Sequence, residues 1–175
     1  MRRRTFLATV GAGALAGCSA LGGKHFAMAD DPFSDVTERQ TDTSVVKHGL
    51  AVIPEGEYAT AGINSRKGDT LTVRGQVVKH GPIDLYVMTP DQFGKYKRQP
   101  NLVTAEFEAR STSAPDLTAD LGKADYQLVM DNTYLGQATP SGEARFQFEL
   151  EISGESRGTQ GNQETANGSA TTTRG

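Results

Sequence analysis

Across residues 144–152 the side chains alternate without a break, with Ala144, Phe146, Phe148, Leu150 and Ile152 on one side and Arg145, Gln147, Glu149 and Glu151 on the other. Period two is the repeat of a β-strand, and apolar set against charged demands one buried face and one wet face. The same rule runs through 103–110, where Val103, Ala105, Phe107 and Ala109 oppose Thr104, Glu106, Glu108 and Arg110. A chain with such strands must build a sheet and cover one side of it with a second layer.

Further strands are read at 45–53, 58–63, 70–78, 83–89, 116–121 and 125–132. Turn residues punctuate them at Pro54-Glu55-Gly56, Lys67-Gly68-Asp69, His80-Gly81-Pro82, Leu121-Gly122-Lys123 and Pro140-Ser141-Gly142. This pattern predicts an all-β fold, an antiparallel, jelly-roll-like β-sandwich of seven or eight strands over residues 45–152. No segment carries a helical stripe, although 90–96 has room for one short turn. The 23 positions of 153–175 contain no Val, Ile, Leu, Met, Phe or Tyr and are expected to stay disordered. Residues 18–44 lack sustained periodicity and are read as a spacer.

The chain opens on an export address. Arg2-Arg3-Arg4 precedes a run that is uncharged from Thr5 to Gly23, rich in Ala and Gly. That order is the signal-peptide order, predicting removal of 1–17; a membrane-spanning anchor competes, but the densest apolar stretch is shorter than the roughly 20 residues that hydrocarbon requires. Arg3 and Arg4 with Phe6 and Leu7 match the twin-arginine export pattern. Leu15-Ala16-Gly17-Cys18 looks like a lipobox, in which the Cys18 thiol takes a diacylglyceryl group. Together these motifs resemble those of twin-arginine lipoproteins of halophilic archaea. The resemblance implies a folded protein, exported and held by lipid on the outer face of the cytoplasmic membrane.

Residues 45–152 carry a second resemblance. Glu57-Tyr58, Lys67-Gly68-Asp69-Thr70-Leu71, the run Gly81-Pro82-Ile83-Asp84-Leu85-Tyr86-Val87-Met88, Gln92-Phe93 with Tyr96, and the run from Tyr126 to Thr133 are similar to β-sandwich domains of the emp24/GOLD type and to bacterial pre-peptidase C-terminal domains. The resemblance implies an accessory or binding module and supplies no catalytic residues.

Composition narrows the chemistry. A single Cys among 175 residues excludes an intrachain disulfide and cysteine-clustered metal sites. It also excludes blue copper, which needs a Cys beside His and Met within the domain. The precursor has 18 Lys and Arg against 21 Asp and Glu; loss of three arginines with the signal peptide leaves 15 against 21, a charge of −6. An acidic chain has no electrostatic reason to bind nucleic acid. The glycine spacing at Gly11, Gly13 and Gly17 is wrong for a dinucleotide site, and no nucleophile elbow, zinc-protease helix or phosphate-cradling loop occurs. No cofactor and no catalytic residue are therefore expected.

Four features remain. Val45-Val46-Lys47-His48-Gly49 recurs as Val77-Val78-Lys79-His80-Gly81, so adjacent strands would bring His48 and His80 together as a metal or pH-sensing pair; separated, they are solvated strand-end residues. The loop of Phe93, Lys95, Tyr96, Lys97 and Arg98 is the candidate partner-binding site, for an anionic glycan, lipid head groups or an acidic envelope protein; the bland alternative has the rings pinning the loop while the cations are solvated. Asp84, Asp91, Asp131 and Asn132 offer oxygen ligands without a calcium-loop spacing, and an Asx-turn over Asp131-Asn132-Thr133 accounts for that pair. Asn167-Gly168-Ser169 is a glycosylation sequon. The reading is a lipid-anchored binding module without catalytic activity, with an enzyme of unrecognised site or a solute-binding lipoprotein as alternatives.

Overall fold

The computed structural model describes residues 26–102 and 104–154. Its ten strands are β1 (Ala27–Met28), β2 (Phe33–Gln40), β3 (Ser44–Ile53), β4 (Glu57–Asn64), β5 (Thr70–Lys79), β6 (Ile83–Met88), β7 (Phe107–Thr112), β8 (Asp116–Asp120), β9 (Asp125–Asn132) and β10 (Ala144–Ser153). Helix α1 (Pro90–Tyr96) and a 3-10 turn (Pro100–Leu102) lie between β6 and β7. The strands form two sheets, β1-β4-β9-β6-β7 and β2-β3-β10-β5-β8. Pairing is antiparallel apart from the two-residue parallel contact of β1 with β4. From β3 to β6, and again from β7 to β10, each step of the chain crosses to the other sheet. The all-β sandwich is thus the observed fold, with ten strands where seven or eight were expected.

Between the sheets lies an apolar layer that includes Ile53, Leu71, Leu85, Leu128, Met130 and Phe146, all removed from water. The strictly alternating β10 is central in its sheet, flanked by β3 and β5. Its Phe148 stands opposite Gly49 on one side and Gly75 on the other. A Cβ at 49 would come within 2.9 Å of the Phe148 ring, and one at 75 within 2.6 Å of the Phe146 ring. Two missing side chains therefore make room for two large rings on the inner face of this sheet.

The added strands correct the expected domain boundary, since residues 26–44 are no mere spacer. β1 docks on β4, and β2 pairs along β3. Phe33 meets Phe148 edge to face at 5.9 Å. β2 escaped the alternation rule because it is an edge strand, exposed from Ser34 to Gln40, with a register shift between Ser34 and Thr37 and Asp35 at a φ of 53°. Irregular edges of this kind resist pairing with other chains. The strand read at 103–110 is displaced to Phe107–Thr112; residues 104–106, after the 3-10 turn, are irregular. β10 extends through Ser153, so the expected tail loses its first residue to the sheet; positions 155–175, with Asn167, lie outside the described residues, as do Arg3, Arg4, Phe6, Leu7, Cys18 and His25.

Candidate ligand pocket on the capped sheet face

β6 and β9 depart from alternation in an informative way. All six residues of β6 are buried, and β9 is buried from Leu128 to Asn132. Both faces of the first sheet are covered here, the outer one by α1 and the segment that follows β9. The helix begins where its chemistry requires: Thr89 caps it, accepting from Gln92 N at 3.4 Å while Thr89 N donates to Gln92 Oε1 at 2.8 Å, and Pro90 occupies the first turn.

Under this cover lies a second apolar cluster of Tyr58, Tyr86, Met88, Tyr96 and Val129, with Phe26, Phe93 and Ala105 against it. Tyr96 is its hub. Its ring lies 5.3 Å from Tyr58, 5.4 Å from Phe26, 6.1 Å from Tyr86 and, stacked at 17°, 6.2 Å from Phe93.

Two carboxylates are set into the same face. Asp131 is the register partner of Tyr58 on β4 and of Asp84 on β6, and the two acids are 1% and 0% exposed. Asp84 is fully engaged: Oδ1 accepts from Ser111 N at 2.6 Å, and Oδ2 accepts from Gln137 N at 2.6 Å and Ala138 N at 2.9 Å. It thereby ties β7 and the 133–138 segment to β6. Gly136 is needed at this crossing, because a Cβ there would fall 2.0 Å from Asp84 Oδ2 and 3.2 Å from the Tyr86 hydroxyl.

Asp131 is less completely served. Its Oδ1 accepts from Thr133 N at 2.7 Å, the expected Asx-turn, whereas Oδ2 has no partner. The neighbouring Tyr96 hydroxyl also lacks a hydrogen bond of acceptable geometry, although the two groups are close enough to influence each other's titration. Burial first, and then the nearby Asp84 charge, push the Asp131 carboxyl above its ordinary 3.8. Burial, followed by the acids behind them, also pushes the Tyr86 and Tyr96 hydroxyls far up, so both stay protonated donors across the physiological range.

Beside Tyr96 the cover leaves a pocket of about 230 Å³. Tyr86 and Met88 of β6, Asn101 of the 3-10 turn, Arg110 of β7 and Gln137 contribute to its walls. Arg110 lies with Cζ 5.9 Å from the Tyr86 ring centroid and donates from Nη2 to Glu108 Oε2 at 2.5 Å. The opposite sheet bears a larger, open trough of about 770 Å³, crossed by the pairs His48–Glu149 at 3.4 Å and Arg74–Asp116 at 3.1 Å. Its charges pair along the strands, and it lies open to solvent on the outer face of that sheet.

The structure divides the expected partner-binding loop. Tyr96 is 1% exposed and cannot meet a macromolecular partner, which corrects its assignment to a docking surface. Phe93 is half-buried and pins the helix, with the Lys97 ammonium 5.0 Å from its centroid. Lys95, Lys97 and Arg98 are exposed in the segment leading into the pocket wall. His48 and His80 do not meet as a pair across adjacent strands, because β3 and β5 are held apart by β10. His48 faces Glu149, while His80, at a φ of 60°, approaches Gly142. Among the described residues no three His, Cys, Asp or Glu side chains converge as a metal site. Asn132 is structural, its Nδ2 donating to the carbonyls of Ile53, Pro54 and Gly142.

No family model matches the chain, and no curated protein matches it. Among solved structures it is similar to PliG, a periplasmic inhibitor of g-type lysozyme from Aeromonas hydrophila, at 11% identity and a TM-score of 0.40, over 74% of this chain and 95% of that one.

Proposed function

We propose that this protein is a non-catalytic binding module, exported by the twin-arginine route and held by lipid on Cys18 at the outer face of the cytoplasmic membrane. The N-terminal motifs around Arg3, Arg4, Phe6, Leu7 and Cys18 support the address. No helix among the described residues is long and apolar enough to cross a membrane.

The chemistry of the pocket supports binding over catalysis. Its two nearby acids are sealed from solvent, and its tyrosines are held protonated. Such groups present fixed donors to a ligand and do not shuttle protons at neutral pH. The enzyme alternative would need a titratable group reaching into the pocket with a pKa near neutrality.

The test is fractionation together with capture. Wild type should stay in washed membranes and recover an envelope component in a pull-down, while Cys18→Ser is released. Normal processing of Cys18→Ser with full retention in washed membranes would overturn the anchoring, and release of cleaved product from the captured component would make the protein an enzyme.

A further inference from the structure

We propose that the pocket beside Tyr96 binds a single acidic sugar unit, a hexuronate within an anionic glycan. This deepens the binding-module reading and rests on it.

Size sets the first limit. About 230 Å³ equals the liquid volume of about eight water molecules, room for one pyranose ring with its substituents and too little for two. Drug-sized or cofactor-sized ligands need more, about 300 Å³ upward.

Wall chemistry sets the second. Asn101 and Gln137 carry amides, which donate and accept at once and so suit vicinal hydroxyls. Pro100 and Leu135, both partly exposed, offer apolar surface for the ring's C–H face. Arg110 supplies the cation; its bond to Glu108 uses one terminal nitrogen of a group with five N–H donors, leaving a fork suited to a carboxylate.

Charge selects among anions. Behind Tyr86 lie Asp84 and Asp131, and both raise the Tyr86 hydroxyl by their negative charge. Glu108 already pairs with Arg110, so one arginine among three acids has room on its remaining N–H groups for a monoanion such as a carboxylate and disfavours a phosphate dianion. Outside the pocket, the exposed Lys95, Lys97 and Arg98 meet neighbouring acidic units of a polymer.

The full chain carrying Cys18→Ser, titrated by calorimetry or NMR, tests this with four probes: glucuronate, glucose, glucose 6-phosphate and a hexuronate oligosaccharide. Glucuronate should bind at least about tenfold more tightly than glucose or glucose 6-phosphate, a difference of about 1.4 kcal/mol. Arg110→Gln should remove that preference. Gln137→Ala, at an exposed side chain, should weaken glucuronate with the fold intact. Replacing Lys95, Lys97 and Arg98 by Gln should weaken the oligosaccharide and spare the monosaccharide. Equal binding of glucose and glucuronate, tighter binding of the phosphate, or no binding of glucuronate would overturn the proposal. If that happens while pull-down still recovers an envelope component, the binding-module reading survives without this ligand.

Discussion

Asp84 and Asp131 face each other as register partners across β6 and β9, both shut away from solvent, yet they are supported unequally. Three backbone N–H groups serve Asp84, and one serves Asp131. Burial first, and then the neighbouring Asp84 charge, oppose ionisation of the less supported acid, so Asp131 holds its proton more tightly.

That inequality predicts the response to acid. The native Asp131 carboxyl lies above its unfolded value of 3.8, so its contribution is fully present below that pH and is lost as pH rises through the native value. Asp131→Asn keeps the acceptor for Thr133 N and supplies a donor toward Tyr96. Denaturant unfolding from pH 3 to 8 should show the variant gaining about 1 kcal/mol or more at pH 7 and lacking this fall in stability. A variant less stable than wild type at neutral pH would mean that the Asp131 charge is supported after all.

Gly136→Ala should destabilise the protein by about 1 to 3 kcal/mol, because the added methyl meets Asp84 Oδ2 and the loop has to lift. Loss of slow amide exchange at Gln137 and Ala138 would accompany it. Unchanged protection of those two amides would show that the loop accommodates the methyl.

Starting the chain at 45, where alternation begins, removes β2, Phe26 and Phe33 together. This truncation should cost more than about 3 kcal/mol, since it uncovers the edge of β3 and rings packed on Tyr58, Tyr96 and Phe148. Thermal denaturation decides, and an unshifted midpoint would return 26–44 to the role of a spacer.

Gln at 95, 97 and 98 together should leave stability within about 0.5 kcal/mol, exposed cations contributing little to folding. Arg3→Lys combined with Arg4→Lys should abolish export, read as loss of the protein from the cell surface; undiminished display would assign another translocon.

The sandwich was legible because its core strands alternate: β10 reads off residues 144–152 almost to the residue. β2 was not legible, since Phe33 and Val36 are its sole large apolar side chains and no period emerges from them. The pocket left a fainter trace. Ile83-Asp84-Leu85-Tyr86-Val87-Met88 fails to alternate, and a strand apolar on both faces must be covered on both. An acid inside such a run, repeated as Asp131 after Leu128-Val129-Met130, marks where buried polarity gathers. That Asp84 and Asp131 are neighbours depends on strand order, which no local pattern encodes. Tyr96 misled for a related reason: its flanking cations read as surface, but one ring of a seven-residue helix turns inward.

Phe26, resting against Tyr58 and Tyr96, fixes how far the protein can see. Seven residues lie between it and Cys18, eight steps that reach at most about 28 Å even when taut, close to the thickness of the hydrocarbon layer itself. If Cys18 carries the proposed lipid, that leash ends on the ring cluster around Tyr96 and holds the sandwich against the bilayer. It would then sample the lowest storey of the envelope, and a polymer held farther out would come within range only by looping back down to the membrane.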